Sequence, residues 1–221
     1  MKVRNALQKR KSVRAFLDRG VSTETVERIL DAARWAPSGT NTQPWQVAVV
    51  RGDTKRKLQE RLENSFHAGV AKAMDYLYYP AEWSGVYRQR RKACGLQLYS
   101  TLQISREDKD KQIALWAANY RAFDAPVMLF FFMDKGLATG SFLDYGMFMQ
   151  SLMLAAVEEG LATCAQAALG EYPAIVKAML GYPDDCILIG GMALGYENAE
   201  ATVNSYRTPR EEAQTFTRFF E

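Results

Sequence analysis

Hydrophobic positions recur along this chain with two periods, and where the period changes an element begins or ends. Val26, Ile29, Leu30 and Ala33 follow the i, i+3, i+4, i+7 spacing of one helix face, with Ser22 ahead of them as a good N-cap and Glu24 in the first turn. Pro37 stops that helix. The segment Pro37 to Pro44, PSGTNTQP, is a loop by its chemistry, with two prolines, a glycine and side chains able to bond their own backbone. It delivers the chain into a strand at Trp45 to Val50. Asp53 is expected to cap a strongly charged helix over 54–66, a solvated element at the edge of the domain.

Pro126 to Met133, PVMLFFFM, is apolar on both faces, which predicts a central strand covered on each side. Ser141, with Asp144 at the third position, is expected to cap a long helix through Phe142, Tyr145, Phe148, Met149, Leu152, Leu154 and Ala155 to Gly160. Apolar nearly all round, that helix belongs in the core or at a subunit interface, and its methionines read as core filling. Leu161 to Ala168 leads to a turn at Gly170, a short helix opens at Pro173 and closes at Gly181, and CILIGGMALG at 186–195 is a second buried strand. From 67 to 118 the pattern turns irregular: Tyr76, Tyr78, Tyr79, Trp83 and Tyr87 crowd together ahead of Arg88, Arg90, Arg91 and Lys92. Such an excursion suits a lid or the wall of a binding site, and equally a satellite helical hairpin packed on its own aromatics. The polar tail carries Phe216, Phe219 and Phe220, anchors suited to docking on another subunit. Few strands separated by helices give an α+β chain in which long helices cover a small sheet, one domain over 1–221.

Composition narrows the classes without naming one. The 48% hydrophobic and 24% charged fractions are those of a globular protein, and the longest apolar run falls well short of the ~20 residues of a membrane helix. The N-terminus has scattered charges and no secretory apolar core. Cys94, Cys164 and Cys186 are odd in number and widely spaced, which suits reduced, buried thiols in the cytoplasm. The single histidine, His67, is expected at the surface near a helix end, and with no CxxC or paired histidines neither a zinc site nor a Ser-His-Asp triad is supported. A net charge of +3 is too small to argue for nucleic acid.

Chemistry enters with Arg10-Lys11-Ser12-Val13-Arg14, three cations and a hydroxyl within five residues. In an extended segment positions 10, 12 and 14 share one side, so two guanidiniums and a hydroxyl can converge on one anion. A solvated basic terminus explains the run as well. A second arginine context lies far away, Asn204-Ser205-Tyr206-Arg207-Thr208-Pro209-Arg210.

With these pieces the sequence resembles the FMN-dependent nitroreductase family over essentially its whole length. The resemblance is carried by R-x-S-x-R at 10–14, P-S-x-x-N-x-Q-P-W at 37–45, an apolar helix followed by Gly160-Leu161 and a small-residue turn, a GxxALG-like last strand and an arginine in the tail. It implies a nitroreductase-like fold, a small mixed sheet covered by helices, in an intertwined homodimer with FMN at the interface. It further implies that Arg10, Lys11, Ser12, Arg14 and Arg207 hold the flavin phosphate and that Pro37, Ser38, Gly39 and Asn41 reach the flavin of the partner subunit. Gln166, Ala167, Ala168, Leu169 and Gly170 would lie along the ring, with a backbone N–H near Ala167 toward N5, and Arg121 would stabilise charge at N1 and O2. Small residues suit close approach of a backbone to a flat ring, and a tightly packed turn explains them equally.

The segment with Tyr76, Tyr79, Trp83, Tyr87, Arg90 and Arg91 is similar to the nitrobenzoate-reductase branch, which implies a small aromatic nitro acceptor. The implied reaction is ping-pong, with hydride from NADH or NADPH. A quinone or enone reductase or a reductive dehalogenase on the same flavin is the alternative within the class, and a nucleotide-binding interaction protein the alternative outside it.

Overall fold

The computed structural model describes all residues from Met1 to Glu221. Strands β1 (Gln46–Val50), β2 (Val127–Asp134), β3 (Ala162–Gln166) and β4 (Cys186–Gly195) form one sheet in the order β1-β2-β4-β3, every ladder antiparallel. The parallel component of the expected mixed sheet is confined to one isolated bridge, Ser12 to Thr163 on β3.

The all-apolar β2 has the two-sided burial its composition predicts. Leu129, Phe131 and Met133 point to a core shared with Val26 and Ile29 of α2 (Thr23–Ala33) and Tyr145, Phe148 and Leu152 of α6 (Gly140–Glu158). Met128, Phe130 and Phe132 point to a second core with Leu58 and Leu62 of α3 (Gly52–His67) and Val176 of α7 (Pro173–Leu180). Period-two alternation on a strand with helices on both faces leaves no side for a polar residue.

Ser22 caps α2 as expected, its Oγ accepting from the Thr25 amide at 3.2 Å, and Gly181 closes α7 in the left-handed conformation at φ +72°. Two expected caps are not used. Arg51 precedes α3 and Thr139 precedes α6, neither with a capping side-chain bond. Asp53 instead pairs with Arg56 and Lys57 one turn on, and Asp144 accepts the Gly39 amide at 3.2 Å, tying the 37–44 loop to α6.

The excursion contains irregular chain over 68–84, then α4 (Gly85–Thr101) and α5 (Lys109–Ala117), so its second half is largely helical. Cys94 is exposed on α4, unlike the buried Cys164 and Cys186. His67 ends α3 with a half-exposed side chain. A helix α1 (Val3–Lys9), unforeseen because seven residues with only Ala6 buried carry no readable period, precedes the basic run. No helix is long and apolar enough to cross a membrane.

Two glycines set the approach to the site. A Cβ on Gly190, whose φ is +149°, would stand 3.1 Å from the Gln166 carbonyl, and one on Gly191 would stand 2.6 Å from Leu169 Cδ1. Their absence of side chains lets the 3-10 turn Ala167–Gly170 lie directly on β4.

Candidate flavin site

The end of β3 and the turn after it stand between two cavities. One, of about 490 Å3, has Arg14 and the small-residue run Ala165 to Ala168 on one side and Tyr79, Trp116, Asn119, Tyr120 and Phe123 on the other. The second, of about 370 Å3, shares Ala165, Gln166 and Ala167 and is walled by Tyr76, Tyr78, Phe142 and Met149.

The basic run is extended, as its alternation predicts. Val13 is buried and its amide donates to the Thr163 carbonyl at 3.0 Å, placing the segment along the edge of β3. Burial pushes the Cys164 thiol up, and Arg14, Ser12 and Arg10 work against that rise. Lys11 departs from the expected cluster. Of opposite parity, it pairs with Glu197 at 2.7 Å and donates to the Asn204 carbonyl at 2.6 Å.

Asn204, buried though polar, is the tie that sequence reasoning passed over. Its Oδ1 accepts from the Arg14 amide at 2.8 Å and its Nδ2 donates to the Ala15 carbonyl at 2.8 Å, so the tail holds the basic segment by its backbone. Arg207 completes the junction, donating to the Arg10 carbonyl at 2.7 Å and to the Leu7 and Gln8 carbonyls at the end of α1. These are the carbonyls a helix terminus leaves unpaired. Burial, then Arg210, then Arg207 hold the Arg10 guanidinium below its ordinary value. Arg10, Arg14, Arg207 and Arg210 enter none of the molecule's ion pairs. Arg10, Arg207 and Arg210 line one open surface cavity and Arg14 lines the cavity beside Ala165 to Ala168; guanidiniums without a carboxylate fit an anion supplied from outside the chain.

Gln166 is 6% exposed and its Nε2 donates to the Asn119 carbonyl at 2.9 Å, leaving Oε1 buried without a partner between the cavities. A buried acceptor without a donor is costly, and a ligand N–H would complete it. Leu169 and Gly170 are buried in the protein, so only Gln166, Ala167 and Ala168 of the expected five line a cavity. The Arg121 guanidinium donates to Glu63 and, at 3.0 Å, to Asp124, and lines neither cavity. Pro37, Ser38, Gly39 and Asn41 are largely solvent-facing and line neither cavity of their own chain.

The opposite wall holds residues that no motif marked. Ala122, Phe123 and Asp124 all have positive φ, 52°, 54° and 60°. Non-glycine residues there cost of order 1–3 kcal/mol each and persist only where the surroundings demand it. The turn they make presents Asn119, Tyr120 and Phe123 to the larger cavity, and the Tyr120 hydroxyl donates to Glu171. The one sequence signal was the pair of small residues, Ala122 and Ala125, beside the central strand, which does not report a left-handed turn.

The family model described as the nitroreductase family matches residues 7–196. The chain belongs to the nitroreductase family. It is 39% identical over 210 residues to a 4-nitrobenzoate reductase of Pseudomonas putida, covering 95% of this chain and 92% of that one. The fold matches the crystal structure of the FMN and NADPH-dependent nitroreductase NfnB from Sphigopyxis sp. strain HMH with a TM-score of 0.97, at 39% identity and full coverage of both chains. It matches the FMN-dependent nitroreductase NfnB from Mycobacterium smegmatis, solved in complex with NADPH, with a TM-score of 0.93, at 34% identity and 99% and 97% coverage. The nitroreductase match ends at Tyr196, so Asn204 and Arg207 act from a tail beyond the matched residues.

Proposed function

We propose that this chain is an FMN-dependent oxidoreductase that takes hydride from NADH or NADPH and reduces a small nitroaromatic acceptor in ping-pong order, as a cytoplasmic homodimer. The observation that carries the reading is that Arg14, in no ion pair, lines one cavity with the small-residue floor at 165–168, where the buried Oε1 of Gln166 has no partner. The relatives named for FMN, NADPH and nitroarenes support the same reading.

The donor set fits the group. Arg10, Ser12, Arg14 and Arg207 would hold the phosphate, and Gln166, Ala167 and Ala168 would lie along the ring, with Leu169 and Gly170 contributing packing beneath. Lys11 and Arg121 leave the proposed set because each is already paired with a carboxylate. The loop at Pro37, Ser38, Gly39 and Asn41 would serve the site of the second copy, which accounts for its facing away from its own cavities. Bound FMN supplies acceptance of hydride from a nicotinamide and its delivery to the acceptor.

The protein supplies position and charge. Asn204 and Arg207 hold the basic segment against β3, Gln166 offers an oriented acceptor, and the aromatic residues exclude water from a planar guest. The free cysteines suit a reducing compartment. All 221 residues form one domain, with 67–118 as its lid and wall. The test is Arg14→Ala beside Arg207→Ala: both should weaken FMN binding about tenfold or more while keeping the far-UV spectrum of the folded chain, and wild-type FMN affinity in both would overturn the phosphate assignment.

A further inference from the structure

Between α3 and α4 the chain crosses the site as a strap whose two ends behave differently. Its stem, 70–76, is tied down. The Ala73 amide donates to the Glu171 carbonyl at 3.0 Å, Lys72 pairs with Glu171 at 2.9 Å, and Met74 packs over Gly170. β3 stops at Gln166 opposite Gly191, and the next groups of β4 are taken by the strap: the Leu188 amide donates to Asp75 Oδ2 at 2.8 Å and the Tyr76 hydroxyl to the Ile189 carbonyl at 2.7 Å. Beneath, Lys177 of α7 is 5% exposed and its Nζ lies 2.9 Å from Asp75 Oδ2.

The tip has no such ties. Leu77 is 96% exposed, and Tyr78 and Tyr79 are linked edge to face at 4.6 Å, with Tyr79 passing on to Trp83 at 5.7 Å. The strap also straddles the end of β3, because Tyr79 lines the larger cavity while Tyr76 and Tyr78 line the smaller. A lysine is almost never this buried without a charged partner, and here Asp75, on the strap, is that partner.

We propose that Asp75 and Lys177 are positioning residues that seat the strap, and that the aromatic wall so placed, Tyr79 foremost, sets affinity for planar aromatic acceptors. The proposal rests on the flavin-site reading above. It assigns α7, which touches neither cavity, a part in specificity. The stem fixes where the aromatic wall begins, and the untied tip adjusts to the ring that enters.

The experiment uses the FMN-loaded protein without nicotinamide and follows binding of 4-nitrobenzoate by perturbation of the flavin absorption, for the wild type, Asp75→Asn, Lys177→Met and Tyr79→Ala. Amide exchange of 70–84 is measured in parallel. Asp75→Asn and Lys177→Met should weaken 4-nitrobenzoate binding about fivefold or more, the size expected for a misplaced aromatic contact, with FMN affinity changed by less than about twofold. Exchange over 70–76 should rise toward that of 77–84. Tyr79→Ala should weaken binding in the same direction with an unchanged melting temperature. Unaltered 4-nitrobenzoate binding in Asp75→Asn, with only a lowered melting temperature, would make the pair a stability element and overturn the proposal. If Asp75→Asn and Lys177→Met do not fold, full binding by Tyr79→Ala or equal exchange of stem and tip in the wild type overturns it. A wild type that takes up no FMN refutes the flavin reading instead, and the seating claim is then decided by exchange alone.

Discussion

Helices α6 and α4 are of nearly equal length, 19 and 17 residues, yet α6 buries Tyr145, Phe148, Leu152, Ala156 and Val157 and α4 buries nothing. The first has β2 on one side and α2 beside it, so its own chain covers that face. The second carries Val86, Tyr87 and Leu96 to the surface at 45%, 64% and 53% exposure, and α6 itself leaves Leu143 at 75%. An isolated helix is marginal in water without tertiary packing. The difference teaches that the excursion is constructed for contacts outside its own core, with a second copy and a bound ring as the proposed occupants.

The largest expected effect breaks the comparison from the side of α6. Leu152→Ala should cost about 2–5 kcal/mol of unfolding free energy in a denaturant titration, the cost of a cavity between α6 and β2. Leu96→Ala on α4 should cost about 0.5 kcal/mol or less under monomeric conditions, since more than half of that side chain is already exposed. A loss of several kcal/mol from Leu96→Ala in the monomer would mean that α4 is packed on its own chain far more firmly than its polar ties to Arg207, Glu211 and Trp116 imply.

Next in size is the basic segment. Removing a guanidinium that bonds a phosphate forfeits roughly 1.5–3 kcal/mol, so Arg14→Ala should raise the FMN dissociation constant about tenfold to a hundredfold, read by quenching of flavin fluorescence. Arg207→Ala should do the same and also loosen α1, whose terminal carbonyls it holds, visible as faster exchange over 3–10. Lys11→Ala, by contrast, should change FMN affinity by less than about 1 kcal/mol, because its charge is already paired with Glu197.

The proposed second copy is tested by Leu143→Asp on the outward face of α6, which should shift the sedimentation coefficient toward the monomer. Ser22→Ala removes the cap of α2 and should cost about 1 kcal/mol, with FMN affinity unchanged.

Sequence pattern was most legible where a residue's role is decided by its neighbours in the chain. The apolar run of β2, the Ser22 cap, the Pro173 start and Gly181 end of α7, and the alternation of Arg10, Ser12 and Arg14 all belong to that class. It was least legible where the deciding contact comes from far away. Lys11 and Arg121 read as candidates for the flavin because each lies in a suggestive local string; Lys11 is engaged by Glu197, 186 positions distant, and Arg121 by Glu63, 58 positions distant, as well as by Asp124 three residues on. Asn204, Lys177 and Asp75 matter only through partners brought by topology, and no spacing announces them. Ser141 and Asp53 failed as caps for a related reason: each sits one position or more inside its helix, and Asp53 binds cations one turn on instead.

The central claim, that Arg10, Arg14 and Arg207 and the small-residue floor at 165–168 serve to hold FMN, is tested most directly by the absorption spectrum of the purified protein and identification of whatever flavin it releases on denaturation. The account predicts a yellow protein that releases FMN in a ratio of about one per chain, and an apoprotein that regains melting temperature when FMN is added back. A colourless preparation that FMN does not stabilise would contradict it.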